Sequence, residues 1–320
     1  MLDIFVPYIS YPSDTNGILL STLKRNIQYL KQQGNFPITI IDGSKNPLSE
    51  ADIGVPVIWN KKERLCFAIN LAIENASDTM LFIVSSSILG LGTVSNLLIE
   101  KESAEKACKR PVALIGQQAP YPTDNEYLLN NVLAAWTPNN VKNHLRSLGF
   151  LYTDEGITIA KQPLTQWDEF QNTLQESAKV FGAKLGAGFI ADKDRLYDIG
   201  GADERASYEH GDYDMGLRWL SFGWPLLVSQ SVRIHRLERL TSKICPETFP
   251  KYNSNNPPFG CSLKYEKSFE TLVWLAAACE PVAQNPDLYR NSLKPQYQQE
   301  YDSLRKTPFF LGRKNEDVKQ

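Results

Sequence analysis

The sequence predicts an α/β fold of Rossmann-like character, with a mostly parallel central sheet flanked by helices, and three observations carry that expectation. Short apolar runs rich in β-forming residues (LDIFVPYI, PITIID, VPVIWN, TMLFIVSS) alternate with helix-patterned segments near 17–33 and 63–77, and such alternation joins parallel strands through covering helices. The segment near 63–77 carries Leu65, Ala68, Ile69, Ala72, Ile73 and Ala76, a stripe spaced by three and four residues that lays an amphipathic helix on a sheet. From 183 the strand, turn and helix pattern returns in AKLGAGFIADKDRLYDIGGADE, DYDMGLRWLSFG and PLLVSQSVRIHR.

Two regions depart from this pattern. A strand at 111–117 (PVALIGQ) precedes a polar region, 118–182, with helices expected near 126–147 and 165–181 and a short strand, GITIAK, between them. This reads as a helical insertion within a domain spanning 1–243. The remainder, 244–320, is punctuated by proline and asparagine around one buried helix near 265–280, with the last ten residues frayed, and reads as a C-terminal extension.

Composition narrows the function classes. A chain of 320 residues with 42% hydrophobic content sustains a full core. Its 34 basic and 36 acidic residues give a formal charge of -2, so no global field collects nucleic acid or anionic membrane, and any anion site must be local. Five cysteines without a C-x-x-C pair argue against a zinc knuckle or a disulfide framework and for a reducing, cytoplasmic setting. The start MLDIFVPYIS lacks a basic region before an apolar stretch, and MLFIVSSSILGLG is interrupted by three serines, so neither a signal peptide nor a transmembrane segment is expected.

Ligands of open α/β sheets bind beyond the carboxyl ends of the strands, which directs attention to the residues after each apolar run. After PITII comes Asp42-Gly43-Ser44; a carboxylate there can accept from a nucleobase or ribose, and Asp-Gly is equally favoured in a plain β-turn. After TMLFIV comes Ser85-Ser86-Ser87, a polar loop whose neutral hydroxyls donate to phosphate oxygens but are poor ligands for Mg²⁺ or Mn²⁺. Asp212 and Asp214 lie at the start of a helix striped by Met215, Trp219 and Phe222. Carboxylates there serve as a general base or as an N-cap. The run VRIHRLERLTSK gathers Arg233, His235, Arg236, Arg239 and Lys243, which either offsets charge on a leaving diphosphate or forms a solvated helix face. Among the tryptophans, Trp167 and Trp224 are candidate sugar-stacking walls, while Trp219 has the spacing of a core residue.

In order along the chain, these pieces resemble the inverting GT-A glycosyltransferases of family 2 and their relatives. The resemblance rests on a first strand ending in proline (FVPY), a second ending in Asp (IIDGS), an Asn-containing helix (CFAINLAIENA), a buried strand running into the serine triplet, and IGGADERASYEHGDYDMGLRWLSFGW. It covers roughly 1–117 and 183–240. It implies nucleotide-sugar contacts from Pro7, Asp42, Arg64, Asn70, Ser85, Ser87, His235, Arg236 and Arg239, a catalytic base at Asp212, and an acceptor side built from Gly200, Gly201, Asp203, Trp224 and the 118–182 region.

The chain departs from the family where it matters chemically. The Asp-x-Asp motif reads Ser85-Ser86-Ser87, the Glu-Asp pair reads Gly211-Asp212, and Arg64 stands near the family's glycine before the Asn-containing helix. The resemblance therefore implies transfer of a sugar from a UDP- or GDP-linked donor to a glycan or other hydroxyl acceptor, with inversion and no metal or other cofactor. The alternative is a catalytically inactive nucleotide- or glycan-binding partner protein. A nucleotidyltransferase ranks behind both, because PYISYPSDTNG lacks a glycine-rich phosphate loop.

Overall fold

A computed structural model describes residues 1–121 apart from 13, 16, 63, 86 and 90–91, together with 150–153, 156–159, 185, 188–206, 211–237, 264–265 and 287–313. Along the chain run β1 (Leu2–Tyr8), α1 (Ile18–Gln32), β2 (Ile38–Asp42), α2 (Glu50–Ile53), β3 (Val57–Trp59), α3 (Leu65–Asn75), β4 (Thr79–Phe82), β5 (Ser87–Leu89), α4 (Thr93–Cys108) and β6 (Ala113–Tyr121). There follow β7 (Phe150–Thr153), β8 (Gly156–Ile159), β9 (Phe189–Asp192), α5 (Lys193–Asp198), α6 (Gly211–Ser221), β10 (Leu226–Leu237), α7 (Asp287–Ser292) and α8 (Pro295–Lys306). The helices expected near 126–147, 165–181 and 265–280 lie outside the described residues, as do Trp167, Arg239 and Lys243.

The sheet is ordered β3-β2-β1-β4-β9-β6-β10-β5, and β7 pairs with β8 in a separate hairpin. Parallel pairing joins β3, β2, β1 and β4, and again β6 and β10; β9 and β5 run against their neighbours. The fold is thus α/β with a mostly parallel sheet between helices.

Alternation of side chains along each strand builds two cores. Phe5, Ile41, Met80, Phe82, Ala113, Ile115, Phe189 and Ala191 face one side, where α3, α5, α6, α7 and α8 pack. Leu2, Ile4, Val6, Ile38, Ile40, Leu81, Leu114 and Ile190 face the other, beneath α1 and α4. Neighbouring strand residues point to opposite faces, so a sheet buried on both sides reads as continuous apolar runs. The end of the chain belongs to the first core: Tyr289, Leu293, Tyr301 and Phe310 are buried in it. Among the described residues no helix is long and apolar enough to cross a membrane.

Candidate functional site

The carboxyl ends of β1, β2 and β4 collect the polar residues that the sequence singles out. Pro7 is half-buried and pairs in register with Ile41; Tyr8, beside it, pairs with Asp42. Burial raises the Tyr8 phenol well above its ordinary pKa, and the charges of Asp42 and Asp14 raise it further. Asp42 is fully buried and its carboxylate shapes the turn after β2. Oδ1 accepts from the Ser44 N–H at 2.8 Å and from the Ser44 hydroxyl, while Oδ2 accepts from the Leu48 N–H at 2.8 Å. Asp42 thus holds the turn through two backbone N–H groups and the Ser44 hydroxyl. Arg64 is exposed at the N-cap of α3, on the same edge of the sheet.

The serine triplet leaves β4 and enters β5, and here the register brings distant segments together. Ser87 is paired with Arg236, and Ile88 with His235, across the antiparallel β5–β10 ladder. Two segments 147 to 149 residues apart in the sequence thus share one strand pair immediately beyond β4. The Ser85 carbonyl accepts from the Asn26 side chain of α1. Ser87 is buried, and its hydroxyl has no hydrogen-bond partner among the described residues.

Asp212 reaches the same edge by a different route. Its carbonyl accepts from the Leu185 N–H at 3.0 Å, and Gly188, just before β9, donates to the carbonyl of Phe82 at the end of β4. Asp212 is half-buried in the first turn of α6, where its Oδ1 accepts from the Tyr213 N–H at 3.0 Å. Because peptide dipoles point their positive end at the helix start, negative charge is favoured there.

The remaining expected residues face the interior. Asn70 is fully buried in α3 and gives its whole amide to the loop after α5: Nδ2 donates to the Ala202 carbonyl (2.9 Å) and to Glu204 (3.0 Å), and Oδ1 accepts from the Ala202 N–H (2.8 Å). It organises a loop and does not face a ligand. Gly200 and Gly201 have φ of 81° and 59°, and a Cβ on Gly201 would run into Asn70 Oδ1 and lie 2.7 Å from Phe310. These glycines permit close packing rather than lining an acceptor groove. Asp203 is fully buried and bound by Arg205 at 2.8 Å and by Lys264. Trp224 packs edge-on against Trp219 and tilted against Phe222, both at 5.1 Å. It lies beyond the far end of α6, roughly 14 Å along the helix from Asp212 at 1.5 Å per residue, next to Pro225, which caps the start of β6. It thus stands at the opposite end of α6 from Asp212.

Asp214 is the centre of a buried ion network that sequence reasoning does not anticipate. Arg218 at 3.0 Å and Lys264 at 3.2 Å neutralise it, and the hydroxyls of Tyr265 (2.7 Å) and Tyr289 (3.1 Å) donate to it. Burial pushes both Asp203 and Asp214 up, but their cations outweigh it and hold both carboxyls below the usual range: Lys264 then Arg205 for Asp203, Lys264 then Arg218 for Asp214. The Asp214–Arg218 spacing of four was a legible helix pair; nothing in the sequence pointed to Lys264. A groove of about 600 Å³ lined by Glu74, Lys193, Tyr197, Phe310 and Arg313 opens at the other edge of the sheet, where β4 begins.

No family model matches the chain, and no curated protein sequence matches it. Solved structures that resemble it include GalNAc-T7 with UDP, GalNAc and Mn²⁺ (TM-score 0.40, 10% identity, 74% of this chain and 44% of that one). They also include TarS of S. aureus (0.39, 10%, 95% and 52%) and the catalytic domain of Drosophila β1,4-galactosyltransferase 7 with xylobiose (0.36, 12%, 72% and 64%). The chain thus spans about half the length of the GalNAc-T7 and TarS chains.

Proposed function

We propose that this chain is a GT-A-type glycosyltransferase that binds a nucleotide-diphosphate sugar beyond the carboxyl ends of β1, β2 and β4 and transfers the sugar, with inversion, to a hydroxyl acceptor. The observation that carries the reading is the pairing of Ser87 with Arg236 and of Ile88 with His235, which joins the serine triplet to the basic strand at the sheet edge that Asp212 also reaches. In this reading Asp212 removes the acceptor hydroxyl proton as that oxygen attacks the anomeric carbon, and the nucleoside diphosphate departs from the opposite face. Arg236 and Arg64 are the candidates to offset the charge that grows on the diphosphate.

A divalent ion of the kind an Asp-x-Asp motif would hold does not fit the residues at this place. Ser85 and Ser87 supply neutral hydroxyls where such an ion needs carboxylate oxygens, and the Ser87 hydroxyl is buried. The reading is therefore of metal-independent transfer, and no step is assigned to a metal. The same loss of carboxylates favours a second reading, a nucleotide- or glycan-binding protein without turnover.

Turnover of UDP- and GDP-linked sugars, measured with EDTA and then with Mn²⁺, tests both. Transfer in EDTA that falls by about 10²-fold or more in Asp212→Asn is expected for an enzyme with a carboxylate base. Full turnover in Asp212→Asn overturns the mechanism, a strict requirement for Mn²⁺ overturns metal independence, and nucleotide binding without turnover favours the binding protein.

A further inference from the structure

The groove where β4 begins is built by side chains that the transfer reading leaves unused. Three segments line it: the end of α3 with Glu74, the start of α5 with Lys193, Asp194 and Tyr197, and the stretch after α8 with Phe309, Phe310 and Arg313. That last stretch is pinned to the loop after α5. The Leu311 N–H donates to the Gly200 carbonyl at 3.1 Å, and the Leu311 carbonyl accepts from the Glu204 N–H at 2.9 Å.

Aromatic rings and balanced charges give the groove its chemistry. Tyr197 is held by an edge contact with Phe310 at 5.1 Å and by its hydroxyl, which donates to the Pro308 carbonyl at 3.3 Å, yet it stays 40% exposed. Phe309 is half-buried. Both cations already have partners in the protein. Lys193 Nζ donates to the Ala76 carbonyl at 2.7 Å and to the Glu74 carbonyl at 3.3 Å, at the end of α3 where the helix dipole favours positive charge. Arg313 lies 4.2 Å over the Phe310 ring, donates to Glu74, and gives Nε and Nη2 to Glu204 at 2.8 and 2.6 Å. Asp194 is exposed.

This combination selects among ligands. The lining charges of Lys193 and Arg313 cancel those of Glu74 and Asp194, so no net charge draws in an anion or a cation. A bare hydrocarbon would cover these polar groups without offering them partners. A neutral ring with an apolar face for Tyr197 and hydroxyls round its edge for the carboxylates meets both demands, and that is the chemistry of a sugar. The volume of about 600 Å³ lies within the roughly 300–1,000 Å³ of small-molecule sites. We infer that the groove binds a sugar unit of a neutral glycan, at a site separate from the proposed transfer site. The seven residues of β1, at about 3.3 Å each, put roughly 23 Å between the two ends of the sheet, so a glycan held here leaves the transfer site open. The inference goes beyond the transfer reading and stands without it.

The test titrates the full chain calorimetrically with neutral hexasaccharides of glucose, mannose and N-acetylglucosamine, and with hexagalacturonate as the anionic comparator. At least one neutral hexasaccharide is expected to bind with a Kd of about 1 mM or below. Tyr197→Ala should weaken it about tenfold or more, Tyr197→Phe should keep it, and Asp212→Asn should leave it unchanged. Asp194→Asn, an exposed change that keeps the fold, should weaken it several-fold and decides the matter if Tyr197→Ala unfolds. The proposal is overturned if no neutral hexasaccharide binds at about 10 mM, if binding ignores both Tyr197→Ala and Asp194→Asn, or if hexagalacturonate binds better. Loss of binding in Asp212→Asn also overturns it, because the glycan would then sit at the transfer site. Tyr197-dependent binding without turnover of any nucleotide sugar upholds the groove and overturns the transfer reading. Turnover without Tyr197-dependent binding does the reverse.

Discussion

The side-chain amide of Asn70 pairs with both backbone groups of Ala202, donating to its carbonyl at 2.9 Å and accepting from its N–H at 2.8 Å, as a neighbouring strand would. One side chain thereby fixes a loop 132 residues away in sequence. Asn70→Ala leaves both Ala202 groups buried without partners and is expected to cost about 2–4 kcal/mol. Urea unfolding measures it, and a loss below about 1 kcal/mol would mean that the loop holds its own shape.

Two glycines with positive φ should respond differently to alanine. Gly223, at φ 78°, has open space where a Cβ would sit, whereas Gly201, at φ 59°, has Asn70 Oδ1 and Phe310 there. Gly223→Ala should cost about 1–2 kcal/mol from backbone strain alone. Gly201→Ala adds a clash with the Asn70 contact and should cost clearly more; equal losses in urea unfolding would contradict this packing.

Acid should destabilise the fold through Asp203 and Asp214. Their folded pKa values lie below the unfolded carboxylate value, so the stabilisation is complete above about pH 4 and fades as pH falls below it toward the folded values. Melting temperatures between pH 7 and pH 2.5 follow this directly. Lys264→Met should lower stability at neutral pH and flatten the acid limb, since Lys264 is the largest charge holding both carboxyls down. An unchanged acid limb would remove the network from the account.

Cysteine labelling separates the interior from the surface. Burial, and then the charges of Asp203, Asp212 and Asp214, raise the Cys66 thiol far above its ordinary pKa, while Cys108 is exposed. Iodoacetamide at pH 8 should modify Cys108 quickly and Cys66 only after unfolding, because the thiolate is the reactive form. Peptide mass spectrometry reads both sites. Rapid native labelling of Cys66 would mean that the start of α6 opens.

Strands β1, β2, β3, β4 and β6, together with α1 and α3, were legible because each is an apolar or amphipathic run, whereas β5 lies within what read as a polar serine loop. Helix α4 was not. Its inner stripe of Thr93, Val94 and Leu97 ends in Lys101, buried by ion pairs to Glu105 at 2.8 Å and Asp192 at 2.7 Å, so the pattern looked polar. Helix α8 was missed for a similar reason, since Tyr297, Tyr301 and Leu304 are spread among glutamines and charges. At the site, the meeting of Ser87 with Arg236 followed from the order of the motifs, but their register did not. Asn70 and Asp203 were site candidates through the resemblance alone, and Asp214 was read as shaping the helix start; the partners that Ala202 and Lys264 supply to them are tertiary contacts that no local spacing encodes. The Asp42 turn was among the alternatives that the sequence left open, and its carboxylate does hold that turn through Ser44 and Leu48.

The two cores are completed at different moments of synthesis. Among the described residues, the one beneath α1 and α4 draws on nothing later than Ile234, whereas the one under α3 and α6 includes Tyr265, Tyr289, Tyr301 and Phe310. A ribosome that has released residues up to the end of β10 has therefore delivered every described residue of one face of the sheet, while the other still lacks the four aromatic residues that pack on it. During that interval Asp203 and Asp214 wait for Lys264. The nascent chain is held in a half-closed state whose exposed apolar face is what a chaperone would recognise.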